Sequence, residues 1–171
     1  MSQANAFDTS QEEFLLQDNE KVLIFATEWH RDIVDQMVSD AVATLQKHGV
    51  TDITVYRVPG CYELPQAVSM YLNLYEIVPK NGGMTGHPTG VICFGCVVQG
   101  ETPHFTFISD ACATHLERIA CDYGVIPMMF GVLTTNTEQQ ARERVDGTHS
   151  RKGEEVAISL LKMLDFKQRI E

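Results

Sequence analysis

Two rhythms of apolar and polar positions alternate along this chain. From Lys21 the run Val22-Leu23-Ile24-Phe25-Ala26 has no polar face and predicts a strand buried on both sides. From Arg31 to His48, Val34, Met37, Val38, Ala41 and Leu45 fall on one helical stripe, which Gly49 ends. A second strand, Asp52 to Val58, stops at Pro59-Gly60. The helix after it carries Leu64, Ala67, Val68, Tyr71, Leu72 and Tyr75 at i, i+3, i+4 spacing, with Pro65 in its first turn. The pattern then repeats: strand Gly90 to Val98, helix Thr106 to Tyr123 (stripe Ile108, Ala111, Cys112, His115, Leu116, Ile119), and strand Ile126 to Leu133. A polar helix from Thr137 to Val145 and a last helix from Lys152 to Leu164 complete it. Residues 1–20 are polar and aperiodic and are expected to form an N-terminal arm. Val78 to Thr89, rich in Gly and Pro, is expected to be a surface loop.

Four strands alternating with helices predict an α/β fold. Parallel neighbours need crossover connections, and right-handed crossovers place helices on both faces of a four-stranded parallel sheet. A length of 171 residues, 44% of them hydrophobic, suits one domain, here 21–171, behind the arm. Ligands of such sheets bind beyond the carboxyl ends of the strands. The segments expected on that rim are Thr27 to His30, Val58 to Glu63, Val98 to His104, and Thr134-Thr135.

Charge narrows the choice of partner. Thirteen Lys and Arg against 23 Asp and Glu give a formal charge of −10, which speaks against a nucleic-acid or anionic-membrane surface. No apolar run reaches membrane-spanning length and the start has no basic-then-apolar leader, so a cytoplasmic protein is expected. The five cysteines (Cys61, Cys93, Cys96, Cys112, Cys121) sit in apolar segments and are expected to be reduced and buried. Cys93 and Cys96 are three apart on a strand and so point to opposite faces; no metal site is expected.

The rim segments carry the candidate chemistry. Trp29, the only tryptophan, offers a face for stacking a planar ring or serves as a packing plug. Gly100, Thr102 and the helix start after them could cradle an anion. His104 beside them could move protons near neutral pH or merely cap the turn. Arg144 and Lys152 could hold a phosphate, Arg144 with a bidentate fork, or be solvated charges; Glu155 could orient His104. Gly-x-Gly-x-x-Gly and Gly-Lys-Ser/Thr are both absent from the sequence.

Five stretches in one order resemble a known family: Val58-Pro59-Gly60-Cys61-Tyr62-Glu63-Leu64-Pro65, Gly100-Glu101-Thr102-Pro103-His104-Phe105, Phe130-Gly131-Val132-Leu133-Thr134, Glu138 to Arg144, and Lys152-Gly153. They are similar to the 6,7-dimethyl-8-ribityllumazine synthases, over about Val22 to Leu164. The resemblance implies a flavodoxin-like three-layer sandwich and a homo-oligomer built from pentamers, with active sites between subunits. It also implies a cofactor-free reaction: condensation of 5-amino-6-(D-ribitylamino)uracil with 3,4-dihydroxy-2-butanone 4-phosphate to the lumazine, the penultimate step of riboflavin synthesis.

By the same resemblance Trp29 stacks on the pyrimidine, Cys61-Tyr62-Glu63 and Cys96-Val97-Val98 line the ring and ribityl chain, and Phe130 comes from the adjacent subunit. Glu101 and Thr102 form a phosphate-binding turn, Arg144 anchors the phosphate, His104 transfers protons, and Lys152 and Glu155 support them. Trp29 and His30 stand where most members carry Phe and many carry Asn. A flavin- or lumazine-binding protein without turnover is the alternative on the same fold, and a His104/Glu155 phosphate hydrolase is a further rival.

Overall fold

A computed structural model of the chain describes residues 9–10, 13–77 and 87–171. Most of the expected 78–89 loop lies outside the described residues, as do residues 1–8 and 11–12 of the arm and the side chain of Tyr75 in the second helical stripe.

The elements follow the expected order: β1 (Lys21–Thr27), α1 (Arg31–Lys47), β2 (Asp52–Val58), a 3-10 turn (Cys61–Glu63), α2 (Leu64–Ile77), β3 (Gly90–Val98), α3 (His104–Asp122), β4 (Met128–Thr135), α4 (Glu138–Glu143) and α5 (Lys152–Ile170). The sheet is parallel throughout, in the order β2-β1-β3-β4. This is the flavodoxin-like strand order, whose reversal lies between β1 and β3. β1 and β3 are the central strands, which is why their side chains read as unbroken apolar runs.

Alternation along each strand divides the core in two. Val22, Ile24 and Ala26 of β1 and Ile92, Phe94 and Cys96 of β3 face α1, α4 and α5, while Leu23, Phe25, Val91 and Cys93 face α2 and α3. Cys93 and Cys96 therefore lie on opposite faces of the sheet. α1 and α5 pack closely because Gly153 lacks a side chain: a Cβ there would come within 2.2 Å of the Met37 carbonyl oxygen and 2.9 Å of Asp40 Cβ.

Several expectations need correction. His115, placed on the α3 stripe, is exposed, because only Cys112 and Leu116 of that helix are fully buried. Cys121 is exposed as well, whereas the other four cysteines are buried; all five are free thiols. α3 begins two residues before the expected Thr106, so His104 is its first residue. β4 is displaced to Met128–Thr135, starting after Pro127 and pairing with β3 as far as Val98↔Thr135. α5 continues to Ile170 with the help of a two-toothed Asp165–Arg169 pair one turn apart.

Part of the arm is docked. Phe14 and Leu16 pack against the α1/α5 core, the Phe14 ring meets His48 edge-on at 5.1 Å, and the Leu15 N–H donates to Asp165 Oδ1 at 2.8 Å.

Candidate active site

The β1–α1 turn decides where the indole goes. Thr27 is fully buried, and its hydroxyl donates to the Trp29 carbonyl oxygen at 3.4 Å. The Glu28 N–H donates to the Val58 carbonyl oxygen at 2.9 Å, lashing the turn to the end of β2. His30 then adopts φ 52°, ψ 46°, the only positive φ at a non-glycine among the described residues, and its carbonyl oxygen accepts the first α1 amides. Histidine is one of the few residue types enriched in that left-handed region. The turn leaves Trp29 70% exposed. Gly60 lets it lean on the β2 loop, because a Cβ at 60 would sit 3.3 Å from Trp29 Cδ1 and 3.1 Å from Glu63 Oε2.

A cavity of about 590 Å3 opens at the carboxyl rim between this turn, the 3-10 turn and the start of α3. Its walls bring together Trp29 and His30, Cys61, Tyr62 and Glu63, Cys96, Val97 and Val98, and Thr102 and His104. Three parts of the rim far apart in sequence thus share one space. His104 enters as the exposed first residue of α3, after Pro103, and no side chain caps that 19-residue helix. The orphan amides of its first turn remain available beside the imidazole, where the helix dipole favours an anion.

Two thiols form part of the walls. Burial pushes the Cys61 thiol up to about 12 and the Cys96 thiol up to about 11. Behind Cys61, burial raises Cys112 to about 11 and Cys93 further still. The Cys61 and Cys96 sulfurs are therefore neutral, polarisable wall atoms and poor nucleophiles.

Other residues singled out in the sequence lie off this cavity. Glu101 is exposed on the turn between Gly100 and Thr102 and does not line it. Phe130, 44% exposed on edge strand β4, lines a separate groove of about 260 Å3 with Cys93, Leu116, Met128 and Met129. Lys152 and Glu155 open α5, on the opposite face of the sheet from α3, and Lys152 Nζ pairs with Glu155 Oε2 at 3.3 Å. Within one chain Glu155 therefore has Lys152 as its partner.

Arg144 follows α4 and is exposed. Its carbonyl oxygen accepts the Lys152 N–H at 3.0 Å and the Ser150 hydroxyl at 3.1 Å, which pins the turn. Of the seven arginines, Arg144 alone makes no ion pair with any described residue. Its guanidinium is thus left to solvent among the described residues, with its donors open to a planar anion.

Phe105, Phe107 and Ile108, which also line the cavity, were missed as site residues by sequence reasoning, whereas His30 was expected on the rim without a role of its own. Phe107 is 68% exposed, and the helical period that would reveal it was read for burial. Among the described residues, no cluster of three or more His, Cys, Asp or Glu side chains could hold a metal ion, and no helix is long and apolar enough to cross a membrane.

Comparison with known proteins bears on which chemistry this rim performs. Residues 19–168 match the family model for 6,7-dimethyl-8-ribityllumazine synthase. Proteins of that name are 35% identical over 156 residues in Phocaeicola vulgatus (90% of this chain, 86% of the relative) and 36% over 150 residues in Porphyromonas gingivalis (86% of each). In Cytophaga hutchinsonii the identity is 38% over 143 residues (82% of each). The matched span runs from the start of the sheet almost to the end of α5 and includes every wall of the cavity as well as Phe130 and Arg144, so this chain belongs to the 6,7-dimethyl-8-ribityllumazine synthase family.

Proposed function

We propose that this chain condenses 5-amino-6-(D-ribitylamino)uracil with 3,4-dihydroxy-2-butanone 4-phosphate, giving 6,7-dimethyl-8-ribityllumazine, phosphate and two molecules of water. The observation that carries the reading is the single cavity shared by an exposed indole and an imidazole at a helix entrance. The indole stacks on the pyrimidine. Cys61 to Glu63 and Cys96 to Val98 flank the ring and its polyol, and the amides of the α3 entrance with Thr102 meet the phosphate.

The substrate's own amine attacks the ketone, so the protein needs no strong nucleophile. Its work is to hold the two reactants together, to move protons as water is lost, and to stabilise the departing phosphate. His104 carries the protons, and Glu101 lies beside the phosphate turn without touching the cavity in one chain.

Phe130 and Arg144 belong to this reading through a second copy. Both are exposed, both lie outside the cavity of their own chain, and each lacks what the site would give it: an aromatic cover for Phe130 and an anion for Arg144. A neighbour in a closed homo-oligomer, a pentamer in this reading, brings its Phe130, Arg144, Lys152 and Glu155 to the rim of the next chain's cavity. A cytoplasmic setting, where free thiols stay reduced, goes with it.

The test is a steady-state assay with both substrates, following lumazine absorbance and phosphate release. Lumazine and phosphate formed in equal amounts support the proposal. Stoichiometric flavin or lumazine binding without turnover would favour the binding-protein alternative, and phosphate release without the pyrimidine amine would favour the hydrolase.

A further inference from the structure

α4 is six residues long, yet it sets the position of Arg144, which directly follows it. Thr137 caps its start by accepting the Gln140 N–H, and one residue from that helix reaches across to another element. Arg142 pairs with Glu138 through Nε at 3.0 Å and Nη2 at 2.5 Å, and the same Nη2 lies 2.6 Å from Asp32 Oδ2.

Asp32 is the second residue of α1, two positions after His30. The first turns of α1 are also tied to edge strand β2 on the same face of the sheet, because Asp35 pairs with Arg57 and, at 3.4 Å, with Arg31. The helix start that carries the Trp29–His30 turn is therefore held from both sides, by β2 and by α4. The charges stand against the cavity wall as well: Glu138 and Asp32 raise the Cys96 thiol and Arg142 lowers it, all acting secondarily to burial.

We infer that Arg142 is a positioning residue, clamping the Trp29–His30 turn of the chain's own cavity to the α4–Arg144 turn, so that the two turns keep a fixed relative placement. The inference rests on the reading that Arg144 serves a substrate phosphate. In a ring where Trp29 works in one site and Arg144 in the next, the clamp joins neighbouring sites through a single chain.

Exposed ion pairs are weak individually, but Arg142 engages two carboxylates at once, and a turn carrying one large aromatic needs little restraint. The only tryptophan is itself the reporter. Arg142→Gln and Asp32→Asn should each lower Trp29 fluorescence anisotropy in the ligand-free protein and raise KM for both substrates about two- to fivefold, the range of exposed ion pairs, with kcat held within about twofold. Arg142→Lys should restore both readouts. The Asp32→Asn/Arg142→Gln double variant should be no worse than Arg142→Gln alone.

Unchanged anisotropy in Arg142→Gln, or an anisotropy change without a KM change, would overturn the clamp, as would equal losses in Arg142→Lys and Arg142→Gln. Should Arg142→Gln fail to fold, Asp32→Asn decides alone by the same two readouts. A wild-type protein that makes no lumazine would defeat the functional reading separately, and the anisotropy of the ligand-free variants would still decide whether the turn is clamped.

Discussion

Each residue of the proposed site makes a distinct demand on the kinetics. Arg144→Ala is expected to raise KM chiefly for the phosphorylated ketone, and Trp29→Ala chiefly for the pyrimidine amine, because each removes binding to one partner only. His104→Ala is expected to lower kcat by no more than the roughly 10²- to 10⁴-fold typical of lost acid–base assistance, since the amine attacks unaided. Michaelis constants unchanged in the first two variants, or a wild-type rate in the third, would remove those assignments.

Thiol chemistry is equally specific. The Cys61 and Cys96 side chains line the cavity, yet burial holds their thiols at about 12 and 11, while Cys121 is exposed on α3. Brief iodoacetamide treatment of the native protein at pH 8 should label Cys121 and spare the other two, as read by peptide mass spectrometry. Rapid labelling of Cys61 would mean that its wall is open to water.

At the scale of elements, two contacts hold the helical layer in register. Replacing Gly153 with alanine would drive a methyl group into the Met37 backbone. Overpacking of that kind costs about 1–3 kcal/mol, so thermal unfolding should begin several degrees lower, and an unchanged Tm would show that α1 and α5 can move apart.

The second contact ties down the arm. The guanidinium of Arg169, and after it the Leu15 N–H, hold the Asp165 carboxyl below the usual carboxylate range. Because the folded value is depressed, this stabilisation is complete above the ordinary aspartate value of about 3.9 and is lost as pH falls through the folded value. Relative to the intrinsic exchange of an open amide at each pH, protection of the Leu15 amide should fall on acidification below about pH 4, and Asp165→Asn should show the low protection already at neutral pH. Protection of the Leu15 amide that stays constant through that range in the wild type would contradict the clip.

The elements were also the part most legible in the sequence. β1 and β3 announced themselves as central strands because they are apolar on both faces, and α1 by a stripe that is buried throughout. Boundaries were less legible where the deciding contact is remote. α5 runs past Leu164 because Asp165 meets Arg169 and Leu15, and no local pattern announces a partner 150 residues away. His115 has the spacing of the α3 stripe but faces solvent, since periodicity identifies a face without telling how much of it will be covered. In the site, the rim rule pointed to Trp29, Cys61 to Glu63, Val98, Thr102 and His104, the family resemblance alone added Cys96 and Val97, and all of them line one cavity. The side-chain clamp between Arg142 and Asp32 had no signature, being an encounter of two ordinary surface charges.

For the molecule as a whole, what one chain leaves open matters more than what it closes. Trp29, Tyr62 and Phe107 stand exposed around the cavity, while Phe130 and the unpaired Arg144 stand exposed away from it. Under the proposal that sites form between copies, large aromatics exposed around a concave site are where a second copy would seat, bringing its own Phe130 and Arg144.

Mixing two crippled chains tests that claim most directly. One carries Trp29→Ala with His104→Ala and so has no working cavity; the other carries Arg144→Ala and has no phosphate anchor to lend. If sites form between copies, unfolding and refolding the two together in equal amounts should restore about a quarter of the wild-type rate, because a quarter of randomly formed junctions pair an intact cavity with an intact arginine. A mixture no more active than the average of the two variants refolded separately would mean that each chain works alone, and would contradict a site shared between copies.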